Sequence, residues 1–323
     1  MTCPDSMDAA KGGISRGTVQ PIYMKSELNA KKQRKALEKV SAIADPDELC
    51  WIALNAPMPA VGAKAVQGLE DAGKLRRVAW EAGDLSVRRA AVEKLTDVGA
   101  LVSLAGSEPQ LFDHCLWRLK ALGDRQGLAQ LFIDYEIKDE GQSINAIDRE
   151  YRRAVEKLKG LGDQEVIEAV ARRARKEEIR AGAAALVERP MVLAEIAKKD
   201  RDAFVRQAAV TNPRFSDVEV LAGIAQGDSP GTDTLRWSAA LRLTELAPER
   251  AVGPLVELMK KLGDAKAGKR AQTAVQFLEA RYRDAASGEE RERIAALRNG
   301  KYGFNWNGPC WHEDASVHFD IPR

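Results

Sequence analysis

Residues 75–100, LRRVAWEAGDLSVRRAAVEKLTDVGA, decide the fold once the preceding 26 residues are written above them. That stretch, 49–74, reads LCWIALNAPMPAVGAKAVQGLEDAGK, and the two fall into register without a gap. In each, a leucine is followed three residues later by a bulky aliphatic and then alanine: Leu49/Ile52/Ala53 and Leu75/Val78/Ala79. Leu101/Leu104/Ala105 starts the pattern a third time. Twelve residues after the leucine stands Val61 or Val87, followed by Ala65-Val66 or Ala91-Val92. Self-similarity at such a period is the mark of stacked repeats.

The template returns downstream. Ile167/Val170/Ala171 leads to Ile179-Arg180, and Leu193/Ile196/Ala197 leads to Val205-Arg206 and Ala209-Val210. Leu221/Ile224/Ala225 then leads, past a small insertion at DSPGTD, to Leu235-Arg236 and Ala239-Ala240. Each half-unit reads as a short amphipathic helix. Val87, Ala91 and Leu95 line one face, with Arg88, Arg89, Glu93 and Lys94 elsewhere. Asp84 is placed to cap that helix, and Gly99-Ala100 are expected to break the chain before the next one. Neither helix hides its apolar stripe alone, so neighbours must stack, and alanine at the contacts lets them approach closely.

The expected architecture is all-α: a right-handed α-solenoid with an extended aromatic C-terminal tail. Residues 1–24 read as a disordered tail. Residues 25–300 read as one elongated array, with a capping helix over 26–44 and an insertion at 134–150. Ser26 is the expected cap of the first helix, with Leu37, Val40 and Ala44 on its inner stripe. Residues 301–323 are expected to form an extended strap.

Arg88, Arg180, Arg206 and Arg236 recur at one repeat position. They would suit a ladder for phosphates. Their tie to the framework instead predicts a structural role, each lying along its neighbours and meeting carboxylates such as Asp84 or Asp202 four residues before.

The stretch VRQAAVTNPRFSDVEVLAGIA (205–225) resembles a leucine-rich-repeat-variant unit, with its Val-Arg, paired small residues, Asn212-Pro213 and later leucine helix. LGDRQGLAQLF and LGDQEVIEAVA are similar to HEAT-type repeats, where Gly-Asp separates paired helices. The resemblance spans roughly residues 40–285. It implies a right-handed superhelix with a concave surface, used in such families mostly to grip other proteins. Only Asn212-Pro213 carries the Asn-Pro signature, and mixed repeat lengths imply an irregular superhelix.

Lys plus Arg (50) barely exceed Asp plus Glu (48), so no general field draws in nucleic acid or membranes. Local clusters exist at KKQRK (31–35) and RRARK (172–176), the latter facing Glu177-Glu178; both read as solvated helix faces. Cys3, Cys50, Cys115 and Cys310 lie far apart, which fits reduced thiols and a cytoplasmic protein better than a disulfide framework. The start lacks a signal-peptide core, and no run reaches membrane-spanning length.

Trp51, Trp80, Trp117 and Trp237 occupy different repeat positions and are expected in the core rather than as a stacking platform. Trp80, Asp84 and Arg88 have the residue types of a base-excision site, but Gly83 separates them from a shared helix. Three histidines and no nucleophile elbow give a hydrolase triad no support.

The end of the chain is the most chemically loaded segment. Phe304, Trp306, Trp311 and Phe319 would anchor the strap on the last repeat or on a partner. Cys310, His312, His318 and Asp320 offer a tetrahedral zinc set, though Cys-x-His-x5-His matches no defined zinc module. The reading that follows is a non-catalytic scaffold that binds another protein. A nucleic-acid-binding or glycosylase-like enzyme and a zinc-dependent regulator are the alternatives.

Overall fold

The computed structural model describes residues 21–25, 29–137, 143–227, 233–262 and 288–298. Every regular element among them is helical. The chain divides into two compact units, the first ending at Leu131 and the second beginning at Phe132. The sequence reading runs a single array from 25 to 300; the division falls just ahead of the expected insertion at 134–150.

In the first unit a single 3-10 turn, Ile22–Met24, precedes α1 (Ala30–Ser41), and the two pack together. Three helix pairs follow: α2 (Pro46–Asn55) with α3 (Pro59–Gly68), α4 (Ala72–Glu81) with α5 (Leu85–Lys94), and α6 (Val98–Ser107) with α7 (Phe112–Leu122). α8 (Arg125–Ile133) spans the boundary between units. The second unit holds α9 (Ile144–Leu161) and then the pairs α10 (Gln164–Arg173) with α11 (Glu177–Leu186), α12 (Pro190–Lys199) with α13 (Ala203–Thr211), and α14 (Val218–Gln226) with α15 (Asp233–Leu246). α16 (Pro248–Leu262) and α17 (Gly288–Arg298) end the described chain.

These helices are short because each starts and stops on its own signal. Asp45, Asp71, Asp84, Asp97, Asp163, Asp202 and Asp217 are all N-caps whose carboxylates accept from amides of the first turn. Prolines open α2, α3 and α12, where a missing N–H costs nothing. The Leu-Gly-Asp triplets work as a stop followed by a start. Gly123 and Gly162 adopt positive φ (69° and 67°) after α7 and α9, and Asp163 then caps α10.

Within each unit the second helices of the pairs pack on one another in sequence: α1, α3, α5 and α7 in the first, α9, α11, α13 and α15 in the second. In the second unit they do so far more extensively than the first helices, α10, α12 and α14. Small residues allow it. In α11, Ala181, Gly182, Ala183 and Ala184 are all buried, and a side chain added at Gly182 would overlap Val155 of α9. The core repeats as the sequence repeats: Val61/Ala65/Val66, Val87/Ala91/Val92 and Val205/Ala209/Val210 are each fully or almost fully buried.

Four local expectations are corrected. α1 begins at Ala30 with Asn29 as its N-cap, and Ser26 lies outside the described residues. Its inner stripe is Ala36 and Val40, while Ala44 is exposed, because the helix stops at Ser41 before Asp45-Pro46 starts the next. Gly99-Ala100 do not break the chain. Asp97 caps there, so both residues fall in the first turn of α6. Finally, α9 starts at Ile144, inside the expected insertion, and buries Tyr151, Ala154 and Leu158.

Candidate interaction surface

The outward side of the second-helix layer in the first unit is built from residues off the buried stripe. Between α1 and α3 lies an open hollow of about 460 Å³, lined by Arg34, Leu37, Glu38, Ala60, Lys64 and Gln67 among others. The Lys64 ammonium donates to Gln67 Oε1 at 3.0 Å.

Further along, the register is fixed by two cations. Lys94 donates to the Gln67 carbonyl (2.8 Å) and Arg118 Nε to the Leu95 carbonyl (2.7 Å), each reaching the end of the preceding second helix. Glu93 and Trp117 immediately precede these anchors, so Gln67, Glu93 and Trp117 stand at equivalent positions on α3, α5 and α7. Trp117 is 66% exposed, with the Lys120 ammonium 5.3 Å from its ring centroid.

The tryptophans depart from expectation. Trp237 is buried (2% exposed), but Trp51 and Trp80 are 50% and 37% exposed and do not belong to the core. Each lies between or beside buried stripe residues rather than on the stripe. Trp51 sits between Cys50 and Ile52, and Trp80 follows Val78-Ala79. Trp80, Asp84 and Arg88 do not share a helix: α4 ends at Glu81, and Asp84 is occupied as the cap of α5.

The repeat arginines reach partners other than the expected acids four residues before. Arg88 Nε donates to Ala79 O (2.8 Å), near the end of α4, and its Nη2 lies 3.2 Å from Glu108. Arg180 Nη1 donates to Ala174 O (2.8 Å) and Arg175 O (3.1 Å), while its Nε and Nη2 fork onto Asp200. Arg236 Nε and Nη2 donate to Ala225 O and Gln226 O at the end of α14. Three of the four thus cap the C-terminus of the first helix in their own pair, where carbonyls lack intrahelical donors and the dipole favours a cation. Asp84 and Asp202 are unavailable because both are N-caps. Arg206 differs: it is buried, and its Nε has no acceptor among the described residues.

The two basic clusters also separate. In RRARK, Arg172 pairs with Glu195 and Glu168, Arg175 with Asp134, and Lys176 with Glu136, so distant acids neutralise it more than the adjacent glutamates. Arg189 adds a fork onto the buried Glu168 carboxylate. In KKQRK, Lys31, Lys32, Arg34 and Lys35 are exposed on α1.

Cys50 and Cys115 are buried free thiols; burial raises both, pushing Cys115 up to about 12. No group of three or more His, Cys, Asp or Glu among the described residues is arranged to hold a metal ion. No helix among them is long and apolar enough to cross a membrane. The tail residues Phe304, Trp306, Cys310, Trp311, His312, His318, Phe319 and Asp320 lie outside the described residues. Compared with known proteins, the chain matches no family model and no curated protein.

Proposed function

We propose that this chain is a non-catalytic interaction scaffold: a HEAT-like, right-handed helical solenoid whose second-helix layer is the inner, gripping surface. Two features of the packing support the curvature. Second helices contact one another more extensively than first helices do in the second unit, and small residues sit between them. A row packed more closely on one side bends toward that side.

The observation that carries the reading is Trp117. A tryptophan left 66% exposed on that layer, under the Lys120 ammonium and in line with Gln67 beside the α1–α3 hollow, has the character of an interface anchor. Tryptophan and arginine dominate binding energy at protein interfaces. The partner is another protein, held across the first unit's second helices.

The test compares crosslinked captures by the wild-type chain and Trp117→Ala at equal concentration. A discrete protein retained by the wild type and lost from the variant, whose Tm is unchanged, is the expected result. Identical captures by the two proteins would remove Trp117 from any interface.

A second reading, nucleic-acid binding, is favoured by the exposed Lys31, Lys32, Arg34 and Lys35 on α1. Oligonucleotide affinity that falls steeply with salt and disappears on reversing those charges would support it. Salt-independent or absent binding would exclude it.

A further inference from the structure

We propose that the hollow between α1 and α3 docks an acidic segment of a partner protein, with one leucine-sized side chain seated between the segment's acids. This rests on the scaffold reading above and names the partner's chemistry at one end of that surface. Arg34, Leu37 and Glu38 of α1 stand one 26-residue step ahead of Ala60, Ala63 and Lys64 of α3, so the two helices present matching positions side by side. The hollow of about 460 Å³ is open there because α3 supplies alanine at two of those positions. One repeat on, the place of Ala63 is taken by Arg89, a long side chain whose Nε is buried. Leu37 is only half-buried, and with the two alanines it makes an apolar floor.

Charge around that floor selects what enters. The sequence of α1 carries five cations, Lys31, Lys32, Arg34, Lys35 and Lys39, against one acid, Glu38. No other described helix is so unbalanced, in a chain whose total is only +2. Lys31 and Lys32 sit in the first turn, where the helix dipole disfavours cations, and Lys31, Lys35 and Lys39 are like charges spaced one turn apart. Helix stability runs against this placement, whereas an anionic ligand is favoured by it. All five side chains are exposed. Arg34 lines the hollow from α1 and Lys64 from α3, so a cation stands on each wall.

The same lining selects protein over nucleic acid. Glu38 stands within it and repels phosphates, and no aromatic side chain lines it for a base to stack on. A peptide can place carboxylates toward Arg34 and Lys64 and an apolar side chain on the floor. Trp117 on α7 lies three second helices further along. At roughly 9 Å per helix step that is about 27 Å, or ~8 residues of extended chain, so one short segment of the partner reaches both places.

The experiment measures binding of labelled, end-blocked peptides to the full chain by fluorescence anisotropy. The probes are EELEE, its serine counterpart EESEE, and pentathymidylate, which carries the same charge. EELEE should bind saturably at one site per chain, with Kd at least about tenfold higher in Arg34→Glu, where repulsion replaces attraction. EESEE should bind about tenfold more weakly, the low end of what burying one leucine is worth. Ala60→Trp fills the hollow without changing a charge, so it should weaken EELEE and leave EESEE unchanged. Trp117→Ala should alter neither, because a pentapeptide is too short to reach α7. A chain that captures a protein through Trp117 but does not bind EELEE keeps the scaffold reading and loses this proposal; the converse result removes Trp117 and keeps the hollow. The proposal fails if EELEE shows no saturable binding, if EESEE binds as tightly, or if pentathymidylate binds more tightly. It fails equally if light scattering shows a dimer that Arg34→Glu dissociates, since a second copy then fills the hollow. Carbodiimide coupling of Lys64 to an acid of the same chain outside residues 29–131 would also overturn it, by assigning the hollow to the chain's own segment.

Discussion

Asn212 offers the sharpest test of how one repeat holds the next. Its side chain is buried, and Nδ2 points at three carbonyl oxygens at the end of α11: Ala184 (3.0 Å), Ala185 (3.1 Å) and Val187 (2.9 Å). Its Oδ1 accepts from the Arg214 amide at 2.8 Å. Two protons shared among three acceptors is the most the amide can supply. Ala184 O retains a bond from the Val187 amide, so Asn212→Ala chiefly deprives Ala185 and Val187. Leaving a buried acceptor unpaired costs about 1–3 kcal/mol each, so the loss is roughly 2–4 kcal/mol after relaxation. For a folded body of 150–250 residues that lowers Tm by about 5–15 °C. Asn212→Asp separates this cause from simple loss of packing. It keeps the shape but turns an acceptor toward three acceptors, so at neutral pH it should destabilise more than alanine. The buried carboxylate's pKa is then raised above its unfolded value. The extra penalty is therefore present at high pH and relieved as pH falls through the folded pKa, where a protonated oxygen donates again. Calorimetry of both variants from pH 4 to 8 measures it. Equal stability for the two at pH 7 would refute the assignment of the amide as donor.

Three further outcomes follow from the geometry. Gly182→Ala should cost about 1–3 kcal/mol by overpacking against Val155, and pairing it with Val155→Ala should recover most of that in chemical denaturation. Asp84→Ala should cost about 1 kcal/mol, the worth of an N-cap. The Ser86 hydroxyl, aided by the Ser86 and Val87 amides, holds Asp84 below the ordinary carboxylate range. Its contribution is therefore complete at neutral pH and lost as pH falls through the folded value, so acid titration of the two proteins should converge only below the ordinary aspartate pKa of about 3.9. Cys115, buried and with its thiol pushed up to about 12, should resist alkylation at pH 8 in the folded chain and react on unfolding, as read by mass spectrometry.

What the sequence made legible was the part governed by local spacing. Val87, Ala91 and Val92 repeat Val61, Ala65 and Val66 because burial in a stacked helix depends only on angular position, and the structure buries all six. The aromatic residues mislead when residue type is weighed above position. Trp51, Trp80 and Trp117 all fall off stripes that the aliphatic residues define, at 49/52/53, 75/78/79 and 112/115/116/119, and all three reach solvent. Trp237 is buried off its stripe because α15 packs on α13, α14 and α16 together. The arginines were beyond reach for another reason. The four look alike in sequence, and two of them meet acids twenty residues away, Glu108 and Asp200, which share a register position seven residues after Leu101 and Leu193 but belong to the next helix pair.

Short helices create a problem that long ones avoid. Each leaves its last four carbonyls without intrahelical donors, and a helix of ten residues spends a large share of its backbone that way. The end is then open to whatever side chain the neighbouring repeat presents. Here the donors recur one repeat on: Lys94 reaches Gln67, Arg118 reaches Leu95, Arg201 reaches Arg175, Asn212 reaches Ala184 to Val187, and Arg242 reaches Pro213 and Phe215. The residue types differ, but the task is constant, which is why no single motif marks the position. Apart from Arg201, which meets the turn after the first helix α10, each such bond ties the end of one second helix to the repeat that follows, so a repeat cannot open without unpairing carbonyls in its neighbour. Unfolding within a unit should accordingly propagate from pair to pair, and substitutions at these donors should lower hydrogen-exchange protection in the preceding repeat as much as in their own.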